Sequence, residues 1–520
     1  MLLTALVYAP TLSLSFGHDQ NVFAEIGSLI LKGKLPYVDA WDIKPPNIFY
    51  VYALAEWLFG QRELAIRIVD FISIVISGGL IFSLTSRNAS LERSIGNRIG
   101  LLATFLFAVT ALSLGLADTA QTESFALPWL IGAALLSFGV QSPSKKIIGG
   151  LLLAVAGFFK TTNFIFFFPI VFAFARQKES RWKNILVFTL GCVAGSLAEL
   201  SVMGAEGYLG EYLAISKSVF LGHASELAGT PVTVFSVLRI IWVYLGAWTI
   251  VAFVGSVVLF SGRFEKLFKQ NVSGRFALFL LAMLVAGSIG ILVQQKGWGY
   301  HYVILIPALI PLVAILSYPL LAKLSHAISQ TLPLHPYVIG VMLTLLLTII
   351  PVAGARWLHV CYDSYLATTN HPKYLTTLGG HNSMYYPPCT DALAEYLEHH
   401  TPPNKTVYIL GQEPGAYWKA NRLPASRYVY TLLFTSPVMK RANFEELAAS
   451  LRSHLPAIIA VERFDTLAFS GRATTSEDLL ASDRLSGVQQ LLNERYGFTD
   501  LICDKFLIYS LRPPIKQPLF

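Results

Sequence analysis

Asp19 follows the first apolar run at once, in "FGHDQN". A carboxylate at the water boundary of a membrane helix, partly desolvated, can take a proton from an attacking hydroxyl. The same position also suits a helix cap or an interfacial anchor. Further on, "YVDAWDIKPP" at 37–46 gathers Asp39, Trp41, Asp42, Lys44 and a Pro-Pro pair between apolar runs. Lys44, Lys160 and Lys296 are the main cations on the face of Asp19, with His301 beside the last, and together they suggest a place for a phosphate. Taken singly, each is as well explained as a snorkelling anchor. Asp118 and Glu123 stand in "GLADTAQTESF", a short loop with no basic residue. They could orient an acceptor or, with Asp19, hold a divalent cation, because hard cations want several oxygens. The competing reading makes them a helix N-terminus, since Thr119 to Thr122 supply start signals. Arg67 and Asp70, three apart, are expected to pair with one another.

The elements that must position these residues are mostly apolar. Of 520 residues 54% are apolar and 13% charged, against the roughly quarter charged of a soluble chain, so the solvent is mostly lipid. The net charge of +8 is scattered in short clusters between apolar runs, where it sets topology and offers no nucleic-acid surface. Met1 to Phe16 lacks a basic leader and a small-residue cleavage site, and is expected to be a first membrane helix whose start could lie a few residues further back. Long runs follow near 64–86, 99–117, 123–140, 184–203, 234–260, 276–294, 301–322 and 336–355. Two shorter ones between 147 and 175 are split by "KTTN", which gives about eleven crossings. One set of alternate loops carries 14 Lys and Arg and the other 7, which places the N-terminus in the cytoplasm. The loop 17–63, the loops near 118, 160, 204–233 and 296, and the tail then lie outside the plasma (inner) membrane. Within the first loop, Val22, Phe23, Ile26, Leu29 and Ile30 alternate with Asn21, Glu25, Ser28 and Lys32 at the spacing of an interfacial helix. Asn47 to Phe59 forms a second, started by Pro45 and Pro46. From 357 the character changes: "TVYILG", "YVYTLLF", "AIIAVE" and "KFLIYSL" read as strands, while "CTDALAEYLEHH", "NFEELAASLRSH" and "GVQQLLNERYG" read as helices, the makings of a small α/β domain. No Gly-rich phosphate loop joins them. Cys192 is a small hydrophobe in an apolar run; of Cys361, Cys389 and Cys503, two could pair.

The stretch "GHDQNVFAEIGSLILKGKLPYVDAWDIKPPNIFY" resembles the first outer loop of the GT-C glycosyltransferases, in the branch of protein O-mannosyltransferases and the lipid A aminoarabinose transferase. The resemblance covers nearly the whole membrane part and implies a polytopic α-helical GT-C domain, 1–356, with an extracytoplasmic α/β domain, 357–520. By it Asp19 takes the place of the family's essential acid, Lys44 that of a lysine contacting the donor's phosphate, and Asp118 that of the second acidic loop. Gln20 departs from the Glu of many relatives. The implied activity is transfer of a monosaccharide from a polyprenyl-phosphate donor to a hydroxyl of a glycolipid, envelope polysaccharide or protein. Asp19 would act as base, and Lys44, helped by Lys160 or by Lys296 and His301, would receive the phosphate, with inversion at the anomeric carbon. Asp39 and Asp42 would pair with Lys44, bind sugar hydroxyls or be plain turn carboxylates, while Tyr37, Trp41 and the prolines hold the turn at the interface. A ligase or polymerase using a diphosphate-linked lipid, a lipid or sugar transporter, and a non-enzymatic scaffold are the other classes compatible with the pattern.

Overall fold

The computed structural model describes residues 1–90, 92–139, 142–177, 180–226, 233–245, 247–260, 273–294, 298–349, 352–379, 385–435, 439–463, 465 and 475–513. They form two compact units, one of 1–14, 66–202 and 231–365, the other of 15–65, 203–230 and 366–520. The first loop and the tail, far apart in sequence, thus fold into one unit.

The first unit is helical. Glu63–Asn88, Arg93–Leu112, Arg181–Glu206, Gly274–Gln294 and Gly299–Ser329 are long and apolar enough to cross a membrane, and a bent pair, Val234–Val243 with Trp248–Val254, counts as a sixth if it is one span. Leu2–Ser13, Thr122–Ser137, Thr161–Ala175 and Pro336–Thr348 are shorter apolar helices. The chain is an integral membrane protein. On Arg181–Glu206 the residues Leu186, Leu190, Val193 and Leu197 are about half exposed at helical spacing, a face that suits lipid. Its other face carries Gly191, and Gly191 and Gly150 of the helix Pro143–Phe159 leave no room for a Cβ on either side, so these two backbones touch. The expected break at "KTTN" is present. Pro143–Phe159 ends at Lys160, whose backbone is extended, and a 3-10 turn, Thr161–Phe166, leads into Phe167–Ala175.

In the second unit the helices His18–Leu31 and Asn47–Phe59 pack together, and a Cβ on Gly27 would stand 2.8 Å from the Ala53 nitrogen. Asn47–Phe59 has the expected bounds, with Pro46 before it and exposed Leu54, Trp57 and Leu58 on its outer face. His18–Leu31 differs from expectation. Gln20 to Leu29 are all buried, including the polar Asn21, Glu25 and Ser28, because the helix Pro414–Ala420 of the tail packs on it. It is therefore a core helix of this unit, and its polar stripe faces protein.

The tail builds a four-stranded mixed sheet of β1 (Val407–Leu410), β2 (Ile458–Glu462), β3 (Tyr496–Ile502) and β4 (Phe506–Leu511) in the order β1-β2-β4-β3. β1 and β2 are parallel, and β4 runs antiparallel to both β2 and β3. The helices Pro387–His400, Arg441–Ser453 and Ser486–Arg495 accompany it. "YVYTLLF" is not a strand. Tyr428, Val429 and Phe434 are buried as an irregular segment ending in the 3-10 turn Thr431–Thr435, with Tyr428 against Phe434. The strand missed instead is β3, whose residues Thr499 and Asp500 are solvent-facing on a sheet edge and read as loop. Cys389, buried in the first turn of Pro387–His400, is disulfide-bonded to Cys503 in the β3–β4 turn, where Cys503 and Asp504 both have positive φ.

Candidate active site

His18 and Asp19 open the helix His18–Leu31 after an extended Gly17, and the Gln20 side chain turns back to accept the Gly17 N–H at 3.0 Å. Gln20 is thus a cap, which gives the departure from Glu a structural role. The N-terminal position favours a negative charge on Asp19. Its side chain is 27% exposed, and its Oδ1 stands 3.4 Å from His18 Nδ1. On the other edge of the imidazole, Nε2 is 3.0 Å from Oε1 of Gln412, just past the end of β1.

The turn before Asn47–Phe59 is held from within. Tyr37 adopts φ +66, its N–H meets the Ala40 carbonyl at 2.7 Å, and its buried hydroxyl donates to the Lys44 carbonyl at 2.7 Å. Its ring packs on Phe49, Tyr208 and Tyr212. Trp41 is buried too, its N–H bonded to the Arg427 carbonyl at 2.8 Å. Tyr37 and Trp41 are therefore core residues and not the interfacial anchors expected of them. Asp39 is the ordinary turn carboxylate, accepting the Leu35 N–H at 2.8 Å and lying 3.5 Å from Lys34. Asp42 is fully buried and accepts the Lys44 N–H at 2.7 Å and the Tyr430 hydroxyl at 2.8 Å. Burial pushes its carboxyl up, the Lys44 N–H, the Lys44 charge and Tyr430 pull it down, and the charge of Asp19 pushes it up again. Asp19 and Lys44 both belong to the second unit. The half-buried Lys44 sends its ammonium to 5.9 Å from the Phe23 ring centre.

The first unit holds the other candidates. Glu123 is buried in the first turn of Thr122–Ser137, where the start signals predicted a helix, and it is ion-paired with Lys160 and accepts the Thr122 hydroxyl at 2.5 Å. Asp118 accepts the Tyr300 N–H at 3.0 Å, and Gly299 is glycine because the Asp118 carboxylate lies against its α-carbon. Lys160 stands 5.9 Å from the Tyr300 ring, and the buried His301 packs edge-on to Tyr300. Asp118, Glu123, Lys160 and His301 therefore form one neighbourhood around the turn Gly299–Leu305. Beside Lys160, Thr161, Phe164, Ile165, Gly290 and Val293 line an apolar groove of about 430 Å³. Lys296 lies outside the described residues. Arg67 donates to the Leu14 carbonyl at 3.0 Å and to Thr119 at 2.8 Å, while Asp70 accepts Tyr8 at 2.8 Å, so each of these two residues ties the helix Glu63–Asn88 to other segments of the first unit. Among the described residues no group of three or more His, Cys, Asp or Glu could hold a metal ion, so the divalent-cation reading finds no ligand set.

Sequence reasoning missed the polar network behind His18. Gln412 donates from Nε2 to Thr431 at 2.8 Å, Thr431 meets Ser476 at 2.8 Å, and Ser476 donates through both N–H and hydroxyl to Asp465. Next to it Lys505, fully buried, lies 3.2 Å from Glu413 and 2.7 Å from Glu462. Burial raises both carboxyls, against the pull of Lys505; Glu462, with Asp465 and Glu413 adding to it, stays well above the ordinary range. Gln412 is 394 positions from His18, and no local motif signals the contact.

The family model of dolichyl-phosphate-mannose-protein mannosyltransferases matches residues 43–202. Two curated relatives are undecaprenyl phosphate-alpha-4-amino-4-deoxy-L-arabinose arabinosyl transferases. That of Erwinia tasmaniensis is 32% identical over 147 residues, 26% of either chain, and that of Edwardsiella ictaluri is 29% identical over 168 residues, 31% of this chain and 28% of the relative. The matched part thus spans about a quarter of those relatives. Among solved structures, ArnT from Cupriavidus metallidurans bound to undecaprenyl phosphate aligns with a TM-score of 0.59 at 12% identity, over 99% of this chain and 98% of its own. The archaeal oligosaccharyltransferase AglB from Archaeoglobus fulgidus, in complex with an inhibitory peptide and a dolichol-phosphate, aligns at 0.54 and 12%, over 99% of this chain and 74% of its own. The fold is that of these structures, and residues 43–202 are similar to the dolichyl-phosphate-mannose-protein mannosyltransferase family.

Proposed function

We propose that the protein is a membrane glycosyltransferase that moves a monosaccharide from a polyprenyl-phosphate donor to an acceptor hydroxyl on the extracytoplasmic side, with inversion. Asp19 takes the acceptor proton, the freed oxygen attacks the anomeric carbon, and the bond from that carbon to the phosphate oxygen breaks with its electron pair on the departing lipid phosphate. Lys44 stabilises the charge that develops there, an interaction worth roughly 10² to 10³ in rate where one such contact is removed. The observation that supports the reading is that Asp19 opens His18–Leu31 and Lys44 precedes Asn47–Phe59, two helices packed on one another within one unit, with the Lys44 ammonium 5.9 Å from the ring of Phe23 on the first of them. Asp42 itself is a poor base, because both of its oxygens are engaged in holding the turn. In the first unit Glu123 holds Lys160, and Asp118 accepts the Tyr300 N–H. The apolar groove beside Lys160 suits a prenyl tail.

In this reading the membrane part crosses the inner membrane about eleven times, from a cytoplasmic N-terminus, and 357–520 lies outside. The Cys389–Cys503 disulfide supports that side, since such bonds persist in oxidising compartments. Single-turnover transfer from a radiolabelled undecaprenyl-phosphate sugar tests the reading. Lys44→Ala is expected to lower the rate at least 100-fold, with a lipid monophosphate as product. A wild-type rate removes the clamp, and a diphosphate product moves the protein to the ligase or polymerase class.

A further inference from the structure

The imidazole of His18 is wedged between two groups of opposite demand. Its Nε2 faces Oε1 of Gln412 at 3.0 Å and its Nδ1 faces Oδ1 of Asp19 at 3.4 Å. Which nitrogen carries hydrogen is set by the chain behind Gln412. Asp465 accepts the N–H of Ser476 at 2.7 Å; burial pushes its carboxyl up to about 7, and in its ionised form it accepts the Ser476 hydroxyl hydrogen as well. With its hydrogen spent there, Ser476 Oγ can only accept from Thr431 at 2.8 Å. Thr431 in turn accepts from the Gln412 amide nitrogen at 2.8 Å, which leaves the amide oxygen toward His18. An amide oxygen accepts only, so His18 Nε2 bears the hydrogen, and Nδ1 presents a lone pair to Asp19 unless a proton sits between them.

Resting on the transfer reading above, we infer that His18 and Asp19 work as one proton-holding dyad, with Gln412 fixing the tautomer so that the acceptor's proton passes from Asp19 to His18 Nδ1. In that step the acceptor O–H bond breaks and its hydrogen joins an Asp19 oxygen. It then moves to His18 Nδ1, giving an imidazolium beside a carboxylate, while the glycosidic electron pair leaves with the phosphate. The imidazolium returns the proton to water, because the Asp19 edge of the pair is the exposed one, 27% against 10% for His18. Besides Asp19, three groups face His18: Gln412, which takes no proton from it, Tyr430, edge-on at 5.7 Å, and Glu413, which feels the charge of His18. Gln412 is a positioning residue, and through it the tail becomes part of the reaction's acid–base apparatus.

The test uses the full chain in lipid nanodiscs with ¹⁵N-labelled histidine, the His18 signals being those lost in His18→Gln. The neutral ring is expected to carry its hydrogen on Nε2. Asp19→Asn should shift the His18 Nδ1 signal, since it replaces the group facing that nitrogen, and Gln412→Ala should give a mixture of tautomers. A neutral ring with hydrogen on Nδ1, or an Nδ1 signal unmoved in Asp19→Asn, overturns the dyad. In parallel, release of undecaprenyl phosphate from an undecaprenyl-phosphate sugar donor, with envelope extract as acceptor source, should show kcat lowered about 10- to 100-fold in His18→Gln with KM unchanged. Asp19→Asn should fall further. Full release by Asp19→Asn defeats the transfer reading while the ring signals still decide the dyad; full release by both His18→Gln and Gln412→Ala, with Asp19→Asn dead, defeats the dyad alone.

Discussion

Lys505→Met removes the only cation described within the cluster that underlies Gln412. The ammonium is fully buried, 2.7 Å from Glu462 and 3.2 Å from Glu413. At an effective dielectric of about 20 these separations correspond to about 6 and 5 kcal/mol of attraction. Most of that offsets the burial of three charges, and losing one partner of such a group typically costs about 3–5 kcal/mol. For a unit of this size each kcal/mol lowers Tm by about 2–4 °C, so a fall of about 6–20 °C is expected. The sign with pH follows from the carboxyls. Burial holds Glu462 and Glu413 above their unfolded values, and removing Lys505 raises them further. Groups raised in the folded state give stability that is present below the unfolded value and is lost as pH rises through the folded one. The variant's deficit should therefore be larger at pH 8 than at pH 5. Buried Trp41 and Trp418 report this unit, so thermal unfolding of the full chain in nanodiscs is followed by tryptophan fluorescence. Glu462→Gln in the Lys505→Met background should recover much of the loss, since it removes one orphaned charge. A Tm within about 2 °C of wild type at pH 8, or a deficit larger at pH 5, refutes the cluster as a structural core.

Three further outcomes are expected. Gly150→Leu should destabilise the membrane unit by about 1–3 kcal/mol or more, because Gly150 and Gly191 bring two helix backbones into contact; a variant with wild-type thermal stability in nanodiscs would contradict that packing. Glu25 is buried, its Oε2 has no hydrogen-bond partner among the described residues, and burial pushes its carboxyl to about 8. Its folded value being raised, stability is lost as pH climbs from the ordinary carboxylate range toward 8, about 4–5 kcal/mol in all; Glu25→Gln should flatten the dependence of Tm on pH between 6 and 9. Reduction of Cys389–Cys503, which closes a separation of 114 residues, should cost about 2–5 kcal/mol and lower Tm in wild type while leaving Cys503→Ser indifferent to reductant.

What could be read in advance was local. The helix Asn47–Phe59 was legible because prolines at its start and a glycine at its end punctuate an apolar run. The break at Lys160 was legible because "KTTN" interrupts two short greasy runs, and the helix after Asp118 because its start signals are side chains near in sequence. Errors arose wherever a distant segment supplied the environment. Asn21, Glu25 and Ser28 made His18–Leu31 look half-solvated, yet the helix Pro414–Ala420 covers that stripe, and Gly415 sits against Asn21 with no space for a side chain. Tyr37 and Trp41 looked like interfacial aromatics, but tail residues and Tyr208 enclose them. "YVYTLLF" has strand composition, while its hydrogen bonds go to a single Gly411 carbonyl through Thr431 and to side chains. The edge strand Tyr496–Ile502 has the reverse problem, too polar to announce itself.

The same division separates the two halves of the site. Asp19 and Lys44 were nameable because each stands in a short motif, whereas the groups that determine what Asp19 can do come from the far end of the chain. A carboxylate that must take a proton during the transfer is helped by a neighbour that can hold it until it passes to water. His18 is that neighbour in sequence, but a histidine next to an aspartate is common and says nothing about which nitrogen faces it. Only Gln412 settles the ring, and only Thr431, Ser476 and Asp465 settle Gln412. The links from His18 to Gln412, from Gln412 to Thr431 and from Thr431 to Ser476 are single hydrogen bonds, so breaking any one of them frees the amide to turn. Gln412→Ala is therefore the sharper lesion than any change at Asp465, since it removes the acceptor that faces His18 directly. If the tail were a mere cover, that substitution would leave the His18 tautomer as it is; the network requires it to change.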